Sequence, residues 1–230
     1  MKAEHIATLL KTPLFRGIGK EDLAAFLICL NPRLQEYAKD EMIALEGQPF
    51  CGIGCILSGS AAILKESASG SRIIMNVVRP GSLFGEMAAW SPRRLWPATV
   101  QALEPTAVLF LPQDKIAGSC AAACRWHTAI IENMLSILSE KALALNRKVE
   151  YLAMKTMRGK LSAYFLEQAR AKSSATFVMP LNRNELADYL GVSRPSMSRE
   201  MGRMRDEGII DYHMATVKII DLNKVKEMAE

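Results

Sequence analysis

The stretch from Leu181 to Met201 constrains this chain more than any other part of it. Asn182 stands just ahead of an apolar-periodic run, and Glu185 follows at the third helical place. Together they form a capping-box-like pair that satisfies orphan N–H groups at a helix start. Gly191 falls where that helix must end in a sharp turn, a place suited to positive φ. Ser193 then offers a second N-cap, and Pro195 sits in the first turn of the next helix, where its missing N–H costs nothing. Two helices joined by so short a glycine-bearing turn form a helix-turn-helix.

In the second helix Met197, Met201 and Met204 recur at helical spacing and predict one apolar face turned to a core. Arg194, Pro195, Ser196, Ser198, Arg199 and Arg203 lie outside that face. With Arg205 the arginines form a basic stripe, opposed between 194 and 205 by Glu200 alone. Arginine can grip guanine O6 and N7 with two bonds and serine reaches bases or phosphates, so this flank suits a DNA major groove. The plainer reading is a solvated charged face. Caps, turn, proline and arginine spacing all agree on the first.

The flanking sequence completes a module. Leu161, Phe165 and Leu166 predict a helix over 157–170, Ser173–Ser174 break it, and 177–181 reads as a short strand. After Gly208, residues 209–212 and 217–220 read as two strands. Helices followed by a β-hairpin describe a winged helix.

Ahead of this module, 121–152 reads as a long helix with a seven-residue repeat. Ile131, Leu138, Leu145 and Leu152 share one position, and Leu135, Ala142 and Val149 another four residues on. Such a seam faces a partner helix, predicting a homodimer. The alternative is a helix packed on its own domain, which ordinarily shows a wider apolar stripe.

From 33 to 112 short apolar runs alternate with turns. The runs are 42–45, 55–57, 61–64, 73–78 and 107–111; the turns are Glu46–Gly47, Ser58–Gly59–Ser60, Ser69–Gly70 and Arg79–Pro80–Gly81. That rhythm predicts an antiparallel β-sandwich or jelly-roll. It is preceded by short helices carrying Ile6, Leu9, Leu10, Leu14, Phe15 and the run Leu23 to Leu30, stopped at Asn31–Pro32. The net charge of +5 is compatible with a polyanionic partner. No apolar run approaches the ~18–20 residues of a membrane span, and the first ten residues lack a signal-peptide layout, so a cytoplasmic location and no membrane partner are expected.

Several of these pieces resemble the CRP/FNR family of bacterial regulators. Leu14-Phe15-Arg16-Gly17-Ile18 with Glu21-Asp22-Leu23 resembles the family's opening. Glu46-Gly47, Leu57-Ser58-Gly59-Ser60 and Pro80-Gly81-Ser82-Leu83-Phe84-Gly85-Glu86 resemble its sensory barrel, and Gly191 to Glu200 its recognition helix. The resemblance implies an α+β chain in three parts. Residues 1–120 would form an effector-sensing β-jelly-roll of the cyclic-nucleotide-binding type, 121–154 a dimerisation helix, and 155–230 a winged helix-turn-helix. It also implies a near-palindromic double-stranded DNA site, a small-molecule effector and RNA polymerase as partners.

The family's base-contacting positions fall on Arg194, Pro195 and Arg199. The middle one is commonly glutamate, which accepts from cytosine; Pro195 cannot, so Ser196 and Ser198 become the polar readers. Gly85, Glu86, Trp96 and Asn146 fall at effector-facing places. Members that bind cyclic AMP carry an Arg–Ser pair where this chain has Trp96–Pro97. Tryptophan cannot neutralise a phosphate as a guanidinium does, so tight cyclic-AMP binding is not expected. Arg93 and Arg94 lie near enough in sequence to substitute. Trp90 and Trp96 either line an apolar pocket or belong to the core.

The five cysteines leave the cofactor unknown. Cys51-x-x-x-Cys55 and Cys120-x-x-x-Cys124, with Cys29, suggest a redox or metal sensor, since thiolates hold iron–sulfur clusters. The spacing matches neither zinc nor ferredoxin patterns, and reduced structural thiols are the plainer reading. His127 and His213 likewise read as structural. Enzyme readings fail: His5, His127 and His213 lie outside the barrel, and no nucleophile elbow, zinc-protease motif or complete phosphate loop is present. A cyclic-nucleotide module without DNA binding is opposed by the helix-turn-helix.

Overall fold

The computed structural model describes residues 2–66, 72–118 and 126–229. The chain divides into two compact units, Met1–Glu140 and Lys141–Glu230, and the border falls inside one long helix. The predicted turn at Ser69–Gly70, the cysteines Cys120 and Cys124, and the first residues of the expected helix at 121–125 lie outside the described residues.

The first unit begins with α1 (Ala3–Lys11), a 3-10 turn (Pro13–Phe15) and α2 (Lys20–Leu30), which ends where Asn31 adopts the left-handed conformation. Strands β1 (Arg33–Tyr37), β2 (Met42–Ala44), β3 (Ile53–Ser58), β4 (Ala61–Glu66), β5 (Arg72–Val78) and β6 (Leu83–Phe84) follow. Then come α3 (Glu86–Ala89), β7 (Thr99–Ala102), β8 (Thr106–Leu111), α4 (Gln113–Ala117) and the start of α5 (Trp126–Ala153). The strands make two antiparallel sheets, ordered β1-β8-β3-β6 and β2-β7-β4-β5.

The two sides of β8 explain this layering. Ala107, Leu109 and Leu111 point to one core with α1 and α2, while Val108 and Phe110 point to another against the second sheet. A strand covered on both faces reads as a continuous apolar run, which is why 107–111 is legible in the sequence. On β3, Gly54 admits the ring of Phe84, since a β-carbon there would lie 2.1 Å from it. Each fully buried leucine or phenylalanine of these layers contributes roughly 1.5–3 kcal/mol.

Helix α5 uses two faces. Ile130 and Met134 are buried in the first unit's core, and Asn133 Nδ2 donates 2.9 Å bonds to the carbonyls of Leu14 and Arg16. Leu138 is half-buried against the same core, unlike the rest of the expected seam. Ile131, Leu135, Ala142, Leu145, Val149 and Leu152 are exposed, Leu145 by 62%. The barrel-packing face and the heptad face are therefore different stripes of one helix.

The second unit contains the end of α5, α6 (Met157–Lys172), β9 (Thr176–Val178), α7 (Arg183–Leu190), α8 (Arg194–Asp206), β10 (Ile210–His213), β11 (Thr216–Ile219) and α9 (Leu222–Met228). Thr156 caps α6 by accepting from the Gly159 N–H, and Ser173 ends it in the left-handed conformation. The strands form an antiparallel sheet ordered β10-β11-β9. β9 stops at Val178, short of the expected 181; Pro180 lacks the N–H that a longer ladder would need. The core joins Leu161, Phe165, Leu186, Leu190, the three methionines of α8, Ile209, Val217 and Val225.

Candidate nucleic-acid interface and sensor turn

Helix α7 starts on a full capping box. Asn182 Oδ1 accepts from the N–H groups of Asn184 and Glu185 at 2.9 and 3.0 Å, and Glu185 Oε2 accepts from the Asn182 N–H at 2.8 Å. Gly191 ends the helix at φ 64°, a conformation costly for any residue with a β-carbon. Ser193 caps α8 by accepting from the Ser196 N–H, and Pro195 lies in the first turn. Lys160, itself buried, donates to the Leu190 carbonyl at 3.1 Å, placing a cation at the C-terminus of α7 where the helix dipole favours it.

Met197, Met201 and Met204 are fully buried, which fixes the rotation of α8. Arg194, Pro195, Ser198, Arg199 and Arg203 are consequently exposed, and Ser196 is half-exposed. The N-terminal polar groups are ordered in series: Ser193 Oγ lies 2.8 Å from Ser196 Oγ, which accepts from Arg199 Nη2 at 3.3 Å. Tyr212 of β10 is flanked by the guanidinium carbons of Arg183 at 4.9 Å and Arg205 at 5.1 Å. These two cation–π contacts tie the hairpin to α7 and α8. The hairpin tip, Met214, is exposed at φ 51°.

Glu200, the acid within the basic stripe, is paired. Its Oε1 accepts from Arg158 Nε at 2.6 Å and its Oε2 lies 3.4 Å from Arg203 Nη1. Arg158 also grips Glu207 with two bonds, Nη1–Oε2 at 2.7 Å and Nη2–Oε1 at 2.8 Å. These bonds raise the Arg158 pKa above its ordinary range, and the guanidinium holds Glu207 below the usual carboxylate value.

In the first unit Gly85 takes φ 81° between β6 and α3, and Glu86 begins α3 fully buried. Trp96 is buried over this turn. Its ring centroid lies 4.9 Å from Phe50 and 5.9 Å from Phe84, and a β-carbon on Gly85 would lie 2.6 Å from the indole. A short ribbon holds it there, with the Gly47 N–H donating to the Trp96 carbonyl and the Trp96 N–H to the Gln48 carbonyl, both 2.9 Å. Trp96 thus fills apolar space, while Trp90 is exposed. Arg93 and Arg94 are exposed too; Arg94, at φ 46°, lines a concavity of about 140 Å³ with Phe50, Cys51, Gly52 and Asp114.

The chain matches the cyclic nucleotide-binding domain over residues 34–122 and the Crp-like helix-turn-helix domain over residues 159–228. It is 26% identical over 186 residues to the transcriptional activator protein FnrA of Stutzerimonas stutzeri, covering 80% of this chain and 75% of the relative. It is 23% identical over 218 residues to the cyclic AMP receptor protein of Thermus thermophilus, covering 95% and 97%. The solved Thermus thermophilus catabolite activator protein shares the fold with a TM-score of 0.54 at 22% identity, covering 95% of this chain and 98% of that one. The chain belongs to the CRP/FNR family of transcription regulators.

Members of the CRP/FNR family bind DNA and act as dimers, with an effector-binding domain ahead of the helix-turn-helix. In this CRP/FNR chain the expected DNA-facing residues come together on one flank of α8. Gly85, Glu86 and Trp96 come together at the sensor turn. Asn146 belongs to the second unit, where its Nδ2 donates to Glu150 Oε1 at 3.3 Å on an exposed face of α5. Cys51 and Cys55 are separate free thiols: Cys51 is exposed, while Cys55 is buried with its sulfur 3.8 Å from Thr12 Oγ1. Cys29 Sγ lies 3.5 Å from His127 Nε2, and His127 packs edge-on against Phe26. Among the described residues no cluster of three or more His, Cys, Asp or Glu is arranged to hold a metal. No described helix is long and apolar enough to cross a membrane.

Sequence reasoning missed Arg158 and Tyr212. Arg158 meets α8 across 42 and 49 residues, a range that local spacing does not encode. The available signal was Glu200 on the basic helix and Glu207 at its C-cap, seven residues apart and so on one side, where a single cation can serve both.

Proposed function

We propose that this chain is a dimeric regulator that reads a near-palindromic operator with α8 from each subunit and responds to a small effector at the Gly85–Glu86 turn. The observation that carries the reading is the exposed flank of Arg194, Ser198, Arg199 and Arg203 opposite a wholly buried methionine face. A helix anchored on one side and basic on the other can enter a major groove without unfolding anything. Arg194 and Arg199, with Ser196 and Ser198, are assigned to base edges, and Arg203 to the backbone. Pro195 contributes shape and no hydrogen bond.

The exposed Leu135, Leu145 and Val149 favour pairing of α5 with its copy, which would set the two α8 helices about one DNA turn (~34 Å) apart. An effector shifts such a dimer only as far as it binds one arrangement better than the other. The buried indole of Trp96 argues against a cyclic phosphate as that effector. RNA polymerase is the partner of an activating regulator, and the name of the Stutzerimonas relative favours activation.

The test is a gel shift on duplexes recovered by the native chain from a randomised pool. Arg199→Ala is expected to cost about 1–3 kcal/mol and to relax selection at one base pair. An equal loss on every duplex reassigns Arg199 to a phosphate. Unchanged affinity and selection would sink the assignment of this flank.

A further inference from the structure

We infer that Arg158 is a positioning residue for DNA binding, occupying the Glu200 carboxylate so that Arg203 remains available to the DNA backbone. The inference rests on the reading of the α8 flank given above. Glu200 and Arg203 are one turn apart on α8, and helical neighbours at that spacing attract each other. The Glu200 side chain is only 14% exposed while that of Arg203 is 70% exposed, so the carboxylate lies inboard of the guanidinium it would draw in.

The distances show how the competition is divided. Arg158 holds Glu200 Oε1 at 2.6 Å, while Arg203 donates to Oε2 over a longer 3.4 Å bond and keeps its side chain 70% exposed. Arg158 is itself fixed, because Glu207 grips its two terminal nitrogens at 2.7 and 2.8 Å. A planar guanidinium suits this bridge, since its fork meets one carboxylate with two bonds and leaves Nε for the other. Without Arg158, α8 and its C-cap would approach phosphates with Glu200 and Glu207 both stripped of their closest cation. For Glu200 the remaining cation is Arg203, and shortening that 3.4 Å bond to a full ion pair would draw Arg203 in from the outer face.

A mere brace between α6 and α8 would show the same bonds, so the test must separate charge from anchoring. Fluorescence anisotropy with the best duplex recovered by the native chain, followed from about 50 to 200 mM salt, gives both affinity and the slope that counts phosphate contacts. Arg158→Gln is expected to weaken binding about tenfold and to reduce the slope by about 1, the value of one lost phosphate contact. Adding Glu200→Gln to Arg158→Gln is expected to restore both. A double variant as weak as the single one would show a brace and overturn the inference, as would an Arg158→Gln protein that binds like the native chain.

Glu200→Gln alone covers the case in which Arg158→Gln does not fold. It removes the competing carboxylate while Arg158 keeps Glu207, and is expected to bind at least as tightly as the native chain with an undiminished slope. Weaker binding would overturn the inference. Arg199→Ala separates this from the parent reading: if it weakens binding while the Arg158 variant does not, only the positioning role fails. If Arg199→Ala has no effect, the parent reading fails first.

Discussion

Leu152, the last residue of the heptad seam, touches the turn of the helix-turn-helix: a β-carbon on Gly191 would lie 2.5 Å from Leu152 Cδ2. The end of the long helix and the turn that orients α8 therefore share one contact, possible because residue 191 has no side chain. Gly191 also holds φ 64°.

Gly191→Ala is expected to destabilise the protein by about 1–2 kcal/mol, the ordinary cost of left-handed backbone for a residue with a β-carbon. The leucine methyl can swing aside, so the clash adds less than the backbone does. Gly202→Ala should act with opposite sign. Gly202 lies inside α8 with nothing within 4 Å of its absent β-carbon, and alanine there should stabilise by about 0.5–1 kcal/mol. Denaturant midpoints of the two variants check both signs, and an equal or inverted order would contradict the account.

What the sequence made legible follows from how each element is stabilised. α7 and α8 carry their own caps, turn glycine and methionine stripe, so local rules suffice. β8 was visible because both its faces are buried. β1 was not, because it is a polar edge strand with four of its five residues exposed, and only its pairing to β8 makes it a strand. α9 is about two capped turns held by Val225 in the core, too short for periodicity to show. At the sensor turn the glycines were readable, but the choice between pocket and core for Trp96 was not. That choice depends on Phe50 and Phe84, brought together only by sheet formation.

The exposed stripe on α5 makes a prediction about assembly. Leu145→Asp with Val149→Asp places two charges on the apolar seam and leaves the barrel core untouched, since Ile130 and Met134 pack elsewhere on the helix. Leu138 is a poorer choice because it is half-buried on that core. The double variant is expected to be monomeric by light scattering and to lose most DNA affinity, because each half-site then binds alone. A variant that remains dimeric would remove α5 as the pairing surface.

Cyclic AMP gives a second check on the sensor. With Trp96 packed between Phe50 and Phe84, no guanidinium issues from that position to balance a cyclic phosphate. Isothermal calorimetry is expected to show no micromolar binding. Micromolar affinity lost on Glu86→Ala would show that Arg93 or Arg94 supplies the charge from outside the aromatic layer.

The two barrel thiols should behave oppositely. Cys51 is exposed, so iodoacetamide is expected to modify it in the native protein; partial burial raises its pKa and slows the reaction, with Arg33 offsetting part of that effect. Cys55 should stay unmodified until the protein unfolds, because burial pushes its thiol up to about 12. That shift also sets a pH dependence. Below about 9 the thiol is neutral in both folded and unfolded chains, and its contribution to stability is complete. Above that value the unfolded chain loses the proton while the folded one keeps it, so stability falls as the pH climbs toward 12. Tyrosines and lysines titrate in the same range, so the informative quantity is the difference between the native chain and Cys55→Ala. Alanine forfeits packing by an amount that does not depend on pH, and its curve should decline less steeply on the alkaline side. Parallel curves for the two proteins would show that Cys55 ionises as readily folded as unfolded, and that water reaches the layer beneath α1.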